Sequence, residues 1–199
     1  RARSANDDYL RALRRVRVDA LNVGWSEFAT LQGRGRTGLV SGTLHGAQPV
    51  VDATLLEAGS VRVAVTGITR AGMPYLMPEG TRVTDSVGWV QAWAADVDAD
   101  LTVVLVYDDP AAARDVAQLP GVDVVVDAAR YNGRWAPFTD GAVHVRTWEA
   151  GTRLTELRVW LNEEGSQRIN VREIDLDDGI GEAWRGPPPR RVADGPEQR

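Results

Sequence analysis

Between residues 99 and 131 the chain reads ADLTVVLVYDDPAAARDVAQLPGVDVVVDAARY: two uninterrupted apolar runs with a short alanine-rich segment between them. An apolar run of strand length without alternation suits a strand buried on both faces, so residues 101–106 and 122–126 are predicted interior strands. Asp108 or Asp109 is placed to cap the segment between them, and Pro110 fits a first helical turn, where its missing N–H is no loss. A helix over residues 111–119 then stops at Pro120-Gly121. Two such strands joined by a helix should be parallel, with a right-handed crossover. Their carboxyl ends share one rim, where open α/β sheets bind ligands. That rim carries Tyr107-Asp108-Asp109 and Asp127-Ala128-Ala129-Arg130-Tyr131, with no His, no Cys and no glycine-rich phosphate loop.

The 199 residues are enough for one domain with a substantial core. With 43% hydrophobic and 26% charged residues, the composition is that of a globular chain. No apolar run approaches the roughly 20 residues that span a bilayer. The absence of Cys rules out disulfides, thiolate metal sites and a cysteine nucleophile. All 23 basic residues are Arg, they are dispersed, and 28 acids leave a net charge of −5. A duplex-binding domain needs a basic face, so no nucleic-acid partner is expected.

Asn6 or Asp7 can cap a first helix reaching about Arg17, followed by a short strand at 19–23. Residues 33–38 form a Gly/Arg surface turn. Residues 39–44 and 50–57 read as strands, and Ala58-Gly59-Ser60 as a turn into a strand at 61–69. A loop over 71–80 precedes Asp85, which caps a helix to about Val97 with Val87, Val90, Trp93 and Ala94 on its apolar side. Strands at 142–148, 154–161 and 168–176 follow, the last two joined by a turn at 162–165. The predicted class is α/β: a layered sandwich of two sheets with helices outside. The domain occupies residues 1–176, and residues 177–199, rich in Pro, Gly and charge, form a tail.

Four segments together resemble one family. Residues 18–28, VDALNVGWSEF, look like a strand leading into Gly-Asn-His-Glu-Phe. Residues 61–69, VRVAVTGIT, look like a central strand ending in Gly-Ile-Thr. The 99–131 segment resembles a strand ending in Ser-His, a helix, and a strand ending in Gly-Gly-His-x-His. Residues 141–161 resemble the strand pair after those histidines. Their order and spacing are similar to a calcineurin-like metallophosphoesterase domain of the bacterial 5′-nucleotidase type, which holds two metal ions. The family's earliest motifs, Asp-x-His and Gly-Asp, would lie before Arg1, as in a processed or trimmed product.

The ligand positions do not carry over. The family's Asn-His falls on Trp25-Ser26, its Ser-His histidine on Tyr107, and its His-x-His on Ala129-Arg130-Tyr131. The resemblance therefore implies a degenerate, non-catalytic protein with no metal or other cofactor, acting as a structural, accessory or binding subunit among other protein subunits. It also implies a periplasmic or otherwise extracytoplasmic location. A divergent metal-dependent phosphoesterase is the second reading, with a rebuilt site from Glu27, Asp108, Asp109 and Asp127, since carboxylates without imidazole suit Mg²⁺ or Ca²⁺. Helix capping by Asp108 and Asp109, and solvation of Asp127 or its pairing with Arg130, account for these acids without a metal. A non-catalytic small-molecule binder is the third. Trp25, Tyr107 and Tyr131 are suited to filling a vacated metal cavity. His45 and His144 match no family ligand and read as polar strand residues. Trp184 and Trp135 are candidates for a protein interface, because Trp is enriched at binding hot spots.

Overall fold

Both apolar runs are central strands of one five-stranded sheet. The computed structural model describes residues 18–24, 38–46, 50–70, 80–107, 110–128, 141–147, 153–162 and 167–175. In chain order the strands are β1 (Leu21–Asn22), β2 (Leu39–Val40), β3 (Leu44–His45), β4 (Ala53–Ala58), β5 (Val61–Thr69), β6 (Arg82–Val83), β7 (Leu101–Tyr107), β8 (Val124–Asp127), β9 (Val143–Arg146), β10 (Arg153–Leu161) and β11 (Gln167–Asp175). Two helices are described, α1 (Ser86–Asp96) and α2 (Pro110–Ala117).

The sheet has the order β4-β5-β7-β8-β9. β4 is antiparallel to β5, and the other three pairings are parallel. Gly59, with φ +68°, makes the tight β4–β5 turn that a side chain would strain. Asp85 caps α1 by accepting a hydrogen bond from the Gly88 N–H at 3.0 Å. The helix then lays Val90 and Ala94 on the sheet, over Ile68, Val104, Val106 and Val125. Ala113, Val116 and Ala117 of α2 complete this core. Each fully buried valine contributes roughly 1.5–3 kcal/mol, so the uninterrupted apolar runs of β7 and β8 fix the centre of the fold.

A second, smaller core joins Val23, Leu39 and Leu44 with Leu21, Val50 and Val83. Here β1 and β2 form a parallel pair that packs against β5, and β3 pairs antiparallel with β6. The sequence predicts one strand over 39–44, but the structure divides it. β2 ends at Val40 and β3 begins at Leu44, because the intervening Gly42 lies against the indole of Trp89 and bonds sideways to Gly67 O at 2.7 Å. β10 and β11 form an antiparallel ribbon in register from Arg153–Asp175 to Leu161–Gln167. At the amino-terminal edge of the sheet, Arg62 makes a two-pronged contact with Asp98 at 2.8 and 2.9 Å. That hydrogen bond, and then the guanidinium charge, hold the Asp98 carboxyl below its ordinary range, although both groups are exposed and screened by solvent. The expected first helix at 6–17, residues 71–79 of the expected loop at 71–80, and the tail at 177–199 lie outside the described residues.

Candidate functional site

The carboxyl ends of β5, β7, β8 and β9 lie on one crest because these strands are parallel, and the end of β1 joins them through Asn22. Backbone bonds stitch the crest: Arg70 N to Tyr107 O, Ala128 N to Val106 O, and Thr147 N to Asp127 O, each 2.9 Å. The Asn22 amide donates to Ile68 O at 2.8 Å and to Leu105 O at 3.0 Å, tying β1 to β5 and β7. Its side chain lies directly against Gly67, where a Cβ would collide with it. Thr69 donates its hydroxyl to Val23 O at 2.7 Å and its N–H to Thr43 Oγ1 at 2.8 Å. The buried Ser41 hydroxyl reaches Thr69 Oγ1 at 3.3 Å. This network turns its polar groups toward backbone and toward one another, which is what buried polar groups require.

A second cluster sits beneath the crest on the helix side of the sheet. The parallel register places Asp127 opposite Arg146 and Val125 opposite His144. Asp127 is fully buried. Its Oδ2 lies 3.2 Å from His144 Nε2 and 3.6 Å from Arg146 Nε. One carboxylate thus stands between an imidazole and a guanidinium, an arrangement that makes a buried charge tolerable. With 4% of its side chain exposed, His144 is not presented to a ligand arriving from solvent.

This corrects the expectation for Asp127. It is fully buried rather than solvated at an open rim; its described partners are His144 and Arg146, and Arg130 lies outside the described residues. The cause is the β8–β9 register, which aligns residues 19 positions apart in the chain. A local hint existed, in that His144 and Arg146 share one strand face with the core residue Ala142. Of the former ligand positions, Tyr107 is described: it ends β7 half-buried, opposite Thr69. Trp25, Ser26, Glu27, Asp108, Asp109, Ala129, Tyr131, Trp135 and Trp184 lie outside the described residues. His45 is engaged elsewhere, with the Thr84 hydroxyl at 3.2 Å. Among the described residues no three His, Cys, Asp or Glu side chains gather.

The architecture has clear counterparts among solved structures. A NAD nucleotidase of Haemophilus influenzae superposes with a TM-score of 0.65 at 14% identity, over 79% of this chain and 35% of that one. A calcineurin-like phosphoesterase of Bacillus subtilis, YfkN, gives 0.59 at 18% identity, over 82% and 65%. The chain has a metallophosphoesterase fold of the 5′-nucleotidase type. The sulfate thiohydrolase SoxB of Thermus thermophilus shares that fold, with a TM-score of 0.61 and 20% identity over 83% of this chain and 34% of its own. The chain therefore spans about a third of the nucleotidase and of SoxB. No protein-family model matches the sequence, and no curated protein does. In this metallophosphoesterase fold, the crest at the ends of β7 and β8 is where the sequence resemblance places the metal ligands. Helix α1, the β7–α2–β8 crossover and the hairpin β4–β5 stand as the sequence predicts.

Proposed function

We propose that this chain is a non-catalytic metallophosphoesterase-fold protein that serves as a structural, accessory or binding subunit of a protein assembly. What carries the reading is the donor chemistry at the positions that the sequence resemblance aligns with the family's metal ligands. Trp25 and Ala129 offer no metal donor, Ser26 offers a neutral hydroxyl, and Tyr107 and Tyr131 offer phenols that must ionise to bind. The nearest described carboxylate, Asp127, is already engaged by His144 and Arg146. This residue set does not fit a dinuclear metal centre, which calls for imidazoles and free carboxylates. Buried Asp127 likewise counts against a rebuilt carboxylate site. The crest keeps its shape through hydrogen bonds and packing, as a scaffold requires. An extracytoplasmic location goes with this reading and rests on the family resemblance.

Metal analysis of the purified full chain tests it, together with hydrolysis of bis(p-nitrophenyl) phosphate and nucleoside monophosphates in added Mn²⁺ or Mg²⁺. The reading expects substoichiometric metal and rates at the uncatalysed background. Stoichiometric Mn, Fe or Zn overturns it, and so does enzyme-like turnover.

A further inference from the structure

One face of the β10–β11 ribbon is basic and aromatic. Alternate residues of each strand share a face, and the register sets Glu156 opposite Arg172 and Trp160 opposite Arg168, with Arg158 on the rung between them. All three arginines are exposed, whereas Leu157 and Val159 on the other face are half-buried. Two exposed large hydrophobic residues, Leu154 at 41% and Trp160 at 46%, also sit on the arginine face. The guanidiniums are held in place. Arg168 lies 5.8 Å from the centroid of the Trp160 ring. Arg158 donates two hydrogen bonds to Glu156 Oε1, at 2.8 and 3.0 Å. Exposed Arg beside Trp is the composition of binding hot spots. On a chain of net charge −5, three Arg against one Glu make this a local positive surface.

The matching surface is on the same chain. Between α1 and β7 the sequence Asp96-Val97-Asp98-Ala99-Asp100 alternates acid with apolar, and exposure alternates with it: the three acids are exposed, while Val97 and Ala99 are half-buried. Asp98 has 86% of its side chain open to solvent. Val97 is extended, and residues two apart on an extended chain lie roughly 7 Å apart. The arginines repeat at that same interval, one on each rung, in the order Arg168, Arg158, Arg172. Within one chain the two surfaces are not matched to each other, since Asp98 takes Arg62 and Arg158 takes Glu156. We propose that the arginine face of the ribbon docks the Asp96–Asp100 run of a second copy of this chain, with Asp98 set against Arg158.

The centre of each surface decides the occupant. A nucleic acid or a plain acidic segment would set a negative group against Glu156 as well as against the arginines. The Asp96–Asp100 run brings a guanidinium to its middle, Arg62 on Asp98, just as the ribbon carries a carboxylate at its own middle, Glu156 on Arg158. The two surfaces are therefore opposite in sign at the ends and again at the centre, a complementarity that a uniform polyanion lacks. The contact joins unlike surfaces, so each copy keeps one of each kind, and association continues past a dimer unless the chain of copies closes on itself. Exposed ion pairs are individually weak and screened by salt, so the association is weak and strongest at low ionic strength. It does not depend on the non-catalytic reading, since none of these residues belongs to the crest.

Sedimentation velocity on the full chain, from about 10 μM to about 1 mM protein in about 20 mM and about 300 mM NaCl, tests the proposal. The expected result is an average mass that rises with concentration at low salt, with association about tenfold weaker or more at high salt. The variants Arg168→Gln/Arg172→Gln and Asp96→Asn/Asp98→Asn should each weaken self-association about tenfold or more. An equal mixture of the two keeps one intact contact, between the acidic run of the first and the arginine face of the second, and should associate more tightly than either variant alone. Recovery on mixing cannot come from misfolding, and the salt dependence of the unaltered chain is read without any variant. A monomer at every concentration in low salt overturns the proposal. So does association indifferent to salt, or a mixture no more associated than its components. Loss in the arginine variant with none in the aspartate variant also overturns it, and marks a different acidic occupant.

Discussion

Asp127 is the residue with the most at stake. Its carboxylate lies where no water reaches it, and His144 and Arg146 converge on it. Removing one partner from a buried ion cluster leaves the remaining charge without compensation, a far larger loss than breaking an exposed pair. Asp127→Ala should therefore destabilise the chain by about 3 kcal/mol or more, read as a lowered urea midpoint. A shift below about 1 kcal/mol would mean the cluster behaves like a surface pair. This residue also marks where local sequence falls silent. Its position at the end of a buried strand is visible in the apolar run, but its partners come from a strand whose register is set by the whole sheet. Tyr107 shows the converse, because its place at the end of β7 follows directly from the run before it.

Among the elements, α1 and the β7–α2–β8 crossover were the most legible. Their apolar periodicity, the Asp85 cap and the stops at Pro120-Gly121 all agree, and consistency across levels is what makes a sequence readable. The break between β2 and β3 was not legible, because its cause sits on another element. Trp89 of α1 lies over Gly42, and a Cβ there would fall inside the indole ring. Gly42→Ala should cost about 1–3 kcal/mol by overpacking, measured as a drop in Tm. The double variant Gly42→Ala/Trp89→Leu should recover part of that loss, since the smaller side chain makes room. Equal losses in the single and double variants would place the strain elsewhere. The Arg62–Asp98 contact joins the start of β5 to the segment before β7 from outside. Its carboxyl is held below the ordinary range, so its contribution is full above the ordinary carboxylate pKa and fades as pH falls through the lowered value. Exposure and salt screening keep that contribution small.

For the whole molecule, the proposed non-catalytic reading expects the fold to stand on packing and hydrogen bonds, without a contribution from a bound ion. A protein that needs a bound ion for stability loses Tm when the ion is chelated, because ligand binding to the native state is itself stabilising. Here EDTA should leave the unfolding midpoint unchanged, and added Mn²⁺ should not raise it. A clear shift in either direction would show that an ion contributes to the native state. The layered α/β class was legible because buried strands, helices and turns alternate along the chain. The division into a large core under the helices and a small core around Val23, Leu39 and Leu44 was not. It depends on Asn22 and Thr69 joining β1 to the main sheet, a contact between residues 47 positions apart.

Trp89 and Trp93 lie stacked on α1, with ring centroids 6.0 Å apart and planes 15° from parallel. Two indoles at that spacing couple their electronic transitions, so the pair should carry a circular-dichroism couplet that isolated tryptophans lack. One member of the pair rests on Gly42, between the small-core residues Leu39 and Leu44. If the small core lifts away from the large one, that contact is lost before the helix itself unwinds. The couplet and the far-ultraviolet helix signal would then fade separately, giving the molecule an optical gauge of its own layer separation.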